Sequence, residues 1–123
     1  MTVGEKPPRK TGVAHFFAAA GYSTAGAQRL WRESSFRQEV LALAVLVVVF
    51  VAFGATAAEM LGLLLLGLLV LLVEALNTAL EEVVDHLSPG WSVFAKNAKD
   101  MGSFAVACAL AATGLYAGWV LIF

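Results

Sequence analysis

Cysteine is nearly absent from this chain: Cys108 stands alone, inside an apolar run. One cysteine excludes an internal disulfide and a cysteine-built metal site, and Cys108 reads as a small packing residue. Charge is equally scarce. Asp, Glu, Lys and Arg make up 14% of the 123 residues and hydrophobic residues 60%, with a mean hydropathy of +0.82. A soluble domain this small has a high ratio of surface to volume and needs more polar surface than that. A water-soluble globule is therefore excluded, and the surplus apolar surface is expected to face lipid or partner subunits. The formal net charge of −1 gives no footing for nucleic acid, and no such partner is expected. Also missing are a Gly-x-x-x-x-Gly-Lys-Ser/Thr loop and the Gly-rich loop of soluble kinases, so a bound nucleotide requires an unrelated arrangement. Residues 1–12 hold Pro7, Pro8 and three basic residues but no apolar core with a cleavage site. They are expected to be a disordered basic tail rather than a signal peptide.

What is there is a set of three long apolar stretches. A helix needs about 20 mainly apolar residues to cross a bilayer, and 40–58, 60–87 and 98–123 are expected to do so, the second continuing beyond the membrane as a polar-striped helix. Gly54 and Thr56, just ahead of Glu59, mark a tight turn between the first two. Lys6, Arg9, Lys10, Arg29, Arg32 and Arg37 precede the first span, and Lys96 and Lys99 lie between the second and third. The positive-inside rule places the N-terminus and that second loop in the cytoplasm and the C-terminus outside. Tyr116 and Trp119 fit an aromatic belt at the outer interface. Residues 13–39 read as one amphipathic helix on the cytoplasmic interface, with Val13, Phe16, Phe17 and Ala20, then Ala27, Leu30 and Trp31, at helical spacing; Gly21 is a candidate bend. The expected fold class is an all-α membrane protein with three transmembrane helices plus an N-terminal amphipathic interfacial helix.

The polar chemistry concentrates in three places. In the second span, Glu74-Ala75-Leu76-Asn77-Thr78-Ala79-Leu80-Glu81-Glu82-Val83-Val84-Asp85 follows an uncharged run from Met60 to Val73. At about 100° per residue, Asn77 lies about 60° from Glu74, Glu81 about 20° and Asp85 about 20° on the other side. Glu74 stands roughly 16 Å above Asp85 along the axis, at or below the headgroup level. Carboxylates at that depth mark a functional site by default, whereas Glu82 and Asp85 also read as solvated charges on an emerging helix end. The second place is Ala95-Lys96-Asn97-Ala98-Lys99-Asp100-Met101-Gly102-Ser103, where Lys99 is able to neutralise phosphate or simply to snorkel. The third is Trp31-Arg32-Glu33-Ser34-Ser35-Phe36-Arg37-Gln38-Glu39, which alone reads as a charged interfacial collar. Together they supply hard oxygen ligands suited to Mg²⁺ and a basic partner, which are the parts phosphoryl transfer needs.

These stretches resemble the bacterial integral-membrane diacylglycerol kinases. The resemblance rests on Ala20-Gly21-Tyr22-Ser23, on Glu33 with Phe36-Arg37-Gln38-Glu39, on Glu74-x-x-Asn77-x-x-x-Glu81 with Val83-Val84-Asp85, and on Ala98-Lys99-Asp100-Met101-Gly102-Ser103. It covers nearly everything after Gly12 and implies a single membrane kinase domain over 13–123. It also implies transfer of phosphate from ATP to diacylglycerol with Mg²⁺, and a homotrimeric helical bundle whose active sites are shared between subunits. Carried over, Glu74 looks like the general base, with Asn77 orienting the reacting centre. Glu33 and Glu81 look like metal ligands on the nucleotide side. Lys99, Asp100 and Tyr22 look like ATP contacts, joined by His15, Trp91 and Ser92. Gly21, Ser23, Phe36, Arg37, Gln38, Glu39 and Ser103 match the lipid-binding surface. The chain departs from the pattern in three ways. His15 stands where members can carry Arg, Trp91-Ser92 stands where a Tyr-His pair is expected, and one residue is missing between Tyr22 and Glu33.

Undecaprenol is the alternative lipid within the family; Met101-Gly102-Ser103 after Lys99-Asp100 resembles the diacylglycerol branch. A small channel or scaffold is the non-enzymatic alternative. A pore predicts polar residues along a whole span, whereas the polar groups of the second span stop halfway. The small residues Ser103, Ala107, Ala111, Gly114 and Gly118 permit close helix packing, within a subunit or between subunits.

Overall fold

A computed structural model describes residues 3–123; the first two residues of the expected tail lie outside them. Four helices follow in order: α1 (Gly12–Leu30), α2 (Ser34–Ala52), α3 (Ala57–Leu87) and α4 (Val93–Ile122). No strand occurs among the described residues. Three helices, α2, α3 and α4, are long and apolar enough to cross a membrane, so the chain is an all-α membrane protein with three spans.

The stretch expected as one helix over 13–39 is divided. α1 continues unbroken through Gly21, and the break falls at Trp31–Glu33. No Gly or Pro marks it. Arg32 N–H and Glu33 N–H bond back three residues, to the carbonyls of Arg29 and Leu30, which tightens the end of α1, and Glu33 then turns extended as the N-cap of α2. Arg37 Nη1 donates to the carbonyl of Trp31 at 2.7 Å, one of the acceptors a helix end leaves bare. The Trp31 ring packs edge-on against Phe36. Phe36 to Glu39 therefore belong to the first turns of a spanning helix, not to the interfacial one.

The turn between α2 and α3 falls where Gly54 and Thr56 predict it. Gly54 adopts φ +73°, a left-handed conformation that side chains disfavour. Ala55 N–H bonds to Phe50 O at 2.9 Å and Gly54 N–H to Val51 O at 3.1 Å, the Schellman pattern, while Ala55 packs against the cluster that holds Phe50, a contact that commonly accompanies the motif. Thr56 Oγ1 then caps α3 by accepting from Glu59 N–H at 3.1 Å. Pro89 and Gly90 end the next turn, and Ser92 caps α4 through a 3.1 Å bond from Ala95 N–H.

α3 is the central helix and packs against both α2 and α4. Phe50 near the end of α2, Leu63 near the start of α3 and Ala117 near the end of α4 form one core cluster, so neighbouring spans run antiparallel. Tyr116 Oη donates to the Glu59 carbonyl at 2.7 Å at that end. It lies against Gly62, where a side chain would collide with it. The small-residue stripe of α4 does not pack within the chain. Ser103, Ala107, Ala111 and Gly114 are exposed, and a Cβ built on Gly114 or Gly118 meets nothing within 4 Å.

Candidate active site

Glu74 is the first charge on α3 after Glu59. At the helical rise it lies about 22 Å from Glu59, short of the roughly 30 Å hydrocarbon thickness. A carboxylate at that depth belongs in the protein interior, and Glu74 is only 4% exposed. It continues the face formed by Leu63, Gly67 and Val70 and followed by Thr78, all buried. Ser35, on the first turn of α2, donates its hydroxyl to Glu74 Oε1 at 2.7 Å. One turn along, Glu39 is 8% exposed, its carboxyl within interaction range of Glu74. Glu39 occupies the inner face of α2 together with Phe36 and Phe50, and its Oε2 has no hydrogen-bond partner.

The adjoining flank of α3 meets α4. Asn77 Nδ2 donates to Glu81 Oε1 at 3.3 Å, while Asn77 Oδ1 is buried without a partner. Gly102 makes this arrangement possible: a Cβ there would strike Asn77 Oδ1 and lie 3.3 Å from Leu80 Cδ2. A turn or so further, Lys99 Nζ sits 2.5 Å from Asp85 Oδ1, with Glu81 in electrostatic reach. Lys96 Nζ pairs with Asp100 Oδ2 at 2.6 Å. Beyond them a cleft of about 380 Å³ lies between Asp85, the Ser88–Ser92 turn, Lys99 and Asp100. Trp91 stands at it, 80% exposed, and the hydroxyls of Ser88 and Ser92 lie 2.8 Å apart.

Arg29 links the amphipathic helix to this end of the bundle. Its Nη1 donates to Glu33 Oε1 at 2.8 Å, and its Nη2 pairs with Glu82 of α3. These hydrogen bonds, to Glu33 first and then Glu82, hold the guanidinium pKa above its ordinary value. Glu33 thereby stands beside the last turns of α3, where Glu81 is.

The structure thus brings Phe36, Glu39, Glu74, Asn77 and Glu81 to one end of the bundle, with Glu33, Lys99 and Asp100 around it. Other expected contacts stay apart from it. His15, Gly21, Tyr22 and Ser23 lie on α1, which has no buried residue, and Tyr22 is 66% exposed. Arg37, Gln38 and Ser103 are also exposed. Residues outside the expected set enter the site: Ser35, Thr78, Arg29 and Glu82. The first three carried a spacing signal, while Glu82 enters through its pairing with Arg29 of α1. Ser35 precedes Glu39 by one helical turn, Thr78 follows Glu74 by one, and Arg29 precedes Glu33 by one, so each pair shares a face.

Among the described residues no three His, Cys, Asp or Glu side chains gather into a metal-binding cluster. Mg²⁺ does not require one, because it keeps several waters and is bound through one or two carboxylates plus substrate phosphates. Glu33 and Glu81 are hard oxygen donors of that kind, so the donor set fits the ion.

A sequence model described as prokaryotic diacylglycerol kinase matches residues 21–123. A diacylglycerol kinase of Sinorhizobium sp. is 46% identical over 123 residues, covering 98% of this chain and 90% of that protein. The diacylglycerol kinase of Pseudomonas aeruginosa is 41% identical, covering 82% of this chain and 83% of its own. That of Escherichia coli K12 is 39% identical, with 81% and 83% covered.

Proposed function

The chain belongs to the prokaryotic diacylglycerol kinase family, and we propose that it phosphorylates diacylglycerol to phosphatidic acid with Glu74 as the general base. It is an integral protein of the bacterial inner membrane, and ATP is the phosphoryl donor. The observation that carries the base assignment is the burial of Glu74 beyond an apolar run, with Ser35 on one oxygen and Glu39 beside it. A diacylglycerol hydroxyl is tethered to two acyl chains, so it reacts near the headgroup plane, and Glu74, about 22 Å along α3 from Glu59, lies on the approach to that plane. The carboxylate takes the hydroxyl proton while the lipid oxygen bonds to the γ-phosphorus. The bond from that phosphorus to the β–γ bridging oxygen breaks, and ADP leaves with the electron pair.

The other side chains position the reactants. Asn77 orients the reacting centre, and its unpartnered Oδ1 and the Oε2 of Glu39 are acceptors that suit a hydroxyl-bearing lipid. Phe36, Arg37, Gln38, Glu39 and Ser103, with Gly21 and Ser23, form the lipid surface. Lys99 neutralises phosphate, and Asp100, Trp91, Ser92, His15 and Tyr22 complete the nucleotide contacts. Glu33 and Glu81 hold Mg²⁺, which supplies charge neutralisation on the triphosphate. The working assembly is a homotrimer with sites shared between subunits, its N-terminus cytoplasmic and its C-terminus outside. The unpacked small-residue stripe of α4 and the exposure of His15 and Tyr22 support sharing, since both leave contacts for a neighbouring subunit to make.

The test is Mg²⁺-dependent transfer of labelled phosphate from ATP in mixed micelles, offering diacylglycerol and undecaprenol separately, with Glu74→Gln as control. Transfer to diacylglycerol that vanishes in the variant supports the reading. Preference for undecaprenol changes the lipid and keeps the mechanism. Full activity in Glu74→Gln removes the base.

A further inference from the structure

A carboxylate has two oxygens, and a general base needs one of them aimed at the substrate. Ser35 engages Oε1 of Glu74 from a different helix, at 2.7 Å. We propose that Ser35 is a positioning residue for phosphoryl transfer: its hydroxyl fixes the Glu74 carboxylate through Oε1 and leaves the second oxygen to receive the lipid's proton. The inference rests on the reading of Glu74 as base and names the group that aims it.

The chemistry of the contact favours this role. A glutamate has several rotatable bonds, and holding it in one geometry costs side-chain freedom. A hydroxyl has one proton to donate, and in Ser35 that proton is committed to Glu74. A hydrogen bond to a charged oxygen is short and directional, so it restricts the carboxylate where packing against apolar neighbours does not. Glu39, the other polar side chain facing Glu74 from α2, is a second carboxyl, and the side-chain hydroxyl that bonds Glu74 Oε1 across the helix interface is that of Ser35. Nor is the contact needed to hold α2 on α3. That pairing already has Phe50 packed with Leu63 and Leu43 set against Gly67, and close van der Waals packing of this kind joins helices in a membrane.

The test uses the full chain in mixed micelles with ATP, Mg²⁺ and diacylglycerol, comparing Ser35→Ala, Ser35→Thr, Glu74→Gln and the Ser35→Ala/Glu74→Gln pair. Ser35→Ala is expected to lower kcat about ten-fold, equivalent to about 1.4 kcal/mol. KM for both substrates and the thermal midpoint should stay at their wild-type values, the pattern of an interaction made in the transition state. Ser35→Thr, which keeps the hydroxyl, should recover most of the loss. In the Glu74→Gln background Ser35→Ala should have no further effect, because the two act as one unit. Wild-type kcat in Ser35→Ala with Glu74→Gln inactive overturns the inference and leaves the base standing. Full activity in Glu74→Gln overturns both. A loss in Ser35→Ala that tracks a lowered thermal midpoint and is not recovered by threonine makes Ser35 a structural tie, which also overturns it.

Discussion

Gly102 is the position at which one methyl group should separate catalysis from folding. A Cβ added there would overlap Asn77 Oδ1, stand 3.2 Å from Asn77 Cγ and 3.3 Å from Leu80 Cδ2. α3 and α4 cannot separate easily, because Lys99 meets Asp85 just below and Tyr116 bonds Glu59 at the far end. The Asn77 side chain is the part able to move, and moving it breaks the 3.3 Å bond to Glu81. Overpacking of this kind costs about 1–3 kcal/mol. Replacing glycine within a helix returns about 0.5–1 kcal/mol, so the net destabilisation of Gly102→Ala is about 1 kcal/mol. The effect on rate is larger, since a displacement of about 1 Å in a positioning group costs about 100-fold. The assay pairs steady-state phosphoryl transfer with thermal inactivation in the same micelles, and adds Asn77→Ala and the double variant. Gly102→Ala should lose most of its kcat with a small change in stability. Its stability cost should shrink in the Asn77→Ala background, where the clashing atoms are gone. Wild-type kcat in Gly102→Ala, or an unchanged stability cost in the double variant, would refute the account.

Three further outcomes follow from other contacts. Lys99→Met removes the ammonium proposed to meet phosphate and should raise KM for ATP well above any change in KM for lipid, read from paired substrate titrations. Tyr116→Phe removes a 2.7 Å bond to the Glu59 carbonyl and should lower stability by about 1 kcal/mol while kcat holds, read by thermal inactivation alongside initial rates. Gly54→Ala forces a side chain into φ +73° and should cost about 1–2 kcal/mol with normal activity per folded molecule.

The spans and the α2–α3 turn were legible in the sequence because hydropathy and turn chemistry act locally. Gly54 and Thr56 state their conformations within a few residues. The break at Trp31–Glu33 was not legible. It is held by a guanidinium reaching from Arg37 and by a ring pair between Trp31 and Phe36, and neither contact has a local signature of the Gly or Pro kind. The carboxylate stripe was legible as a stripe, since helical spacing alone puts Glu74, Glu81 and Asp85 on one side. Its division between neighbours was not. Glu74 faces Ser35 of α2 while Asn77 faces Gly102 of α4, and which flank of a helix meets which partner depends on packing between segments far apart in the chain.

That division explains why the chemistry sits on the central helix. α3 carries the extensive packing against both other spans, which meet each other only toward the far end, at Phe50 and Tyr116, so side chains about 60° apart on it are held by different partners. Glu74 is anchored from α2, and Asn77 is shaped by α4. A base carried on an outer helix would have one packed flank and one lipid-facing flank, and its carboxylate would be free to turn toward headgroups. On α3 the base is restrained from α2 and its neighbouring amide from α4. Small shifts of either outer helix then change the relative aim of the two groups, although no residue of the reacting centre itself is altered. Gly102 and Ser35 are the contacts through which such shifts reach Asn77 and Glu74. They reach neighbouring flanks of α3 from different helices, so their effects on kcat should arise through different partners and, for sites that share no contact, should combine additively in a Ser35→Ala/Gly102→Ala variant. Marked non-additivity in kcat would mean that Glu74 and Asn77 are positioned as a single unit across α3 rather than from its two flanks.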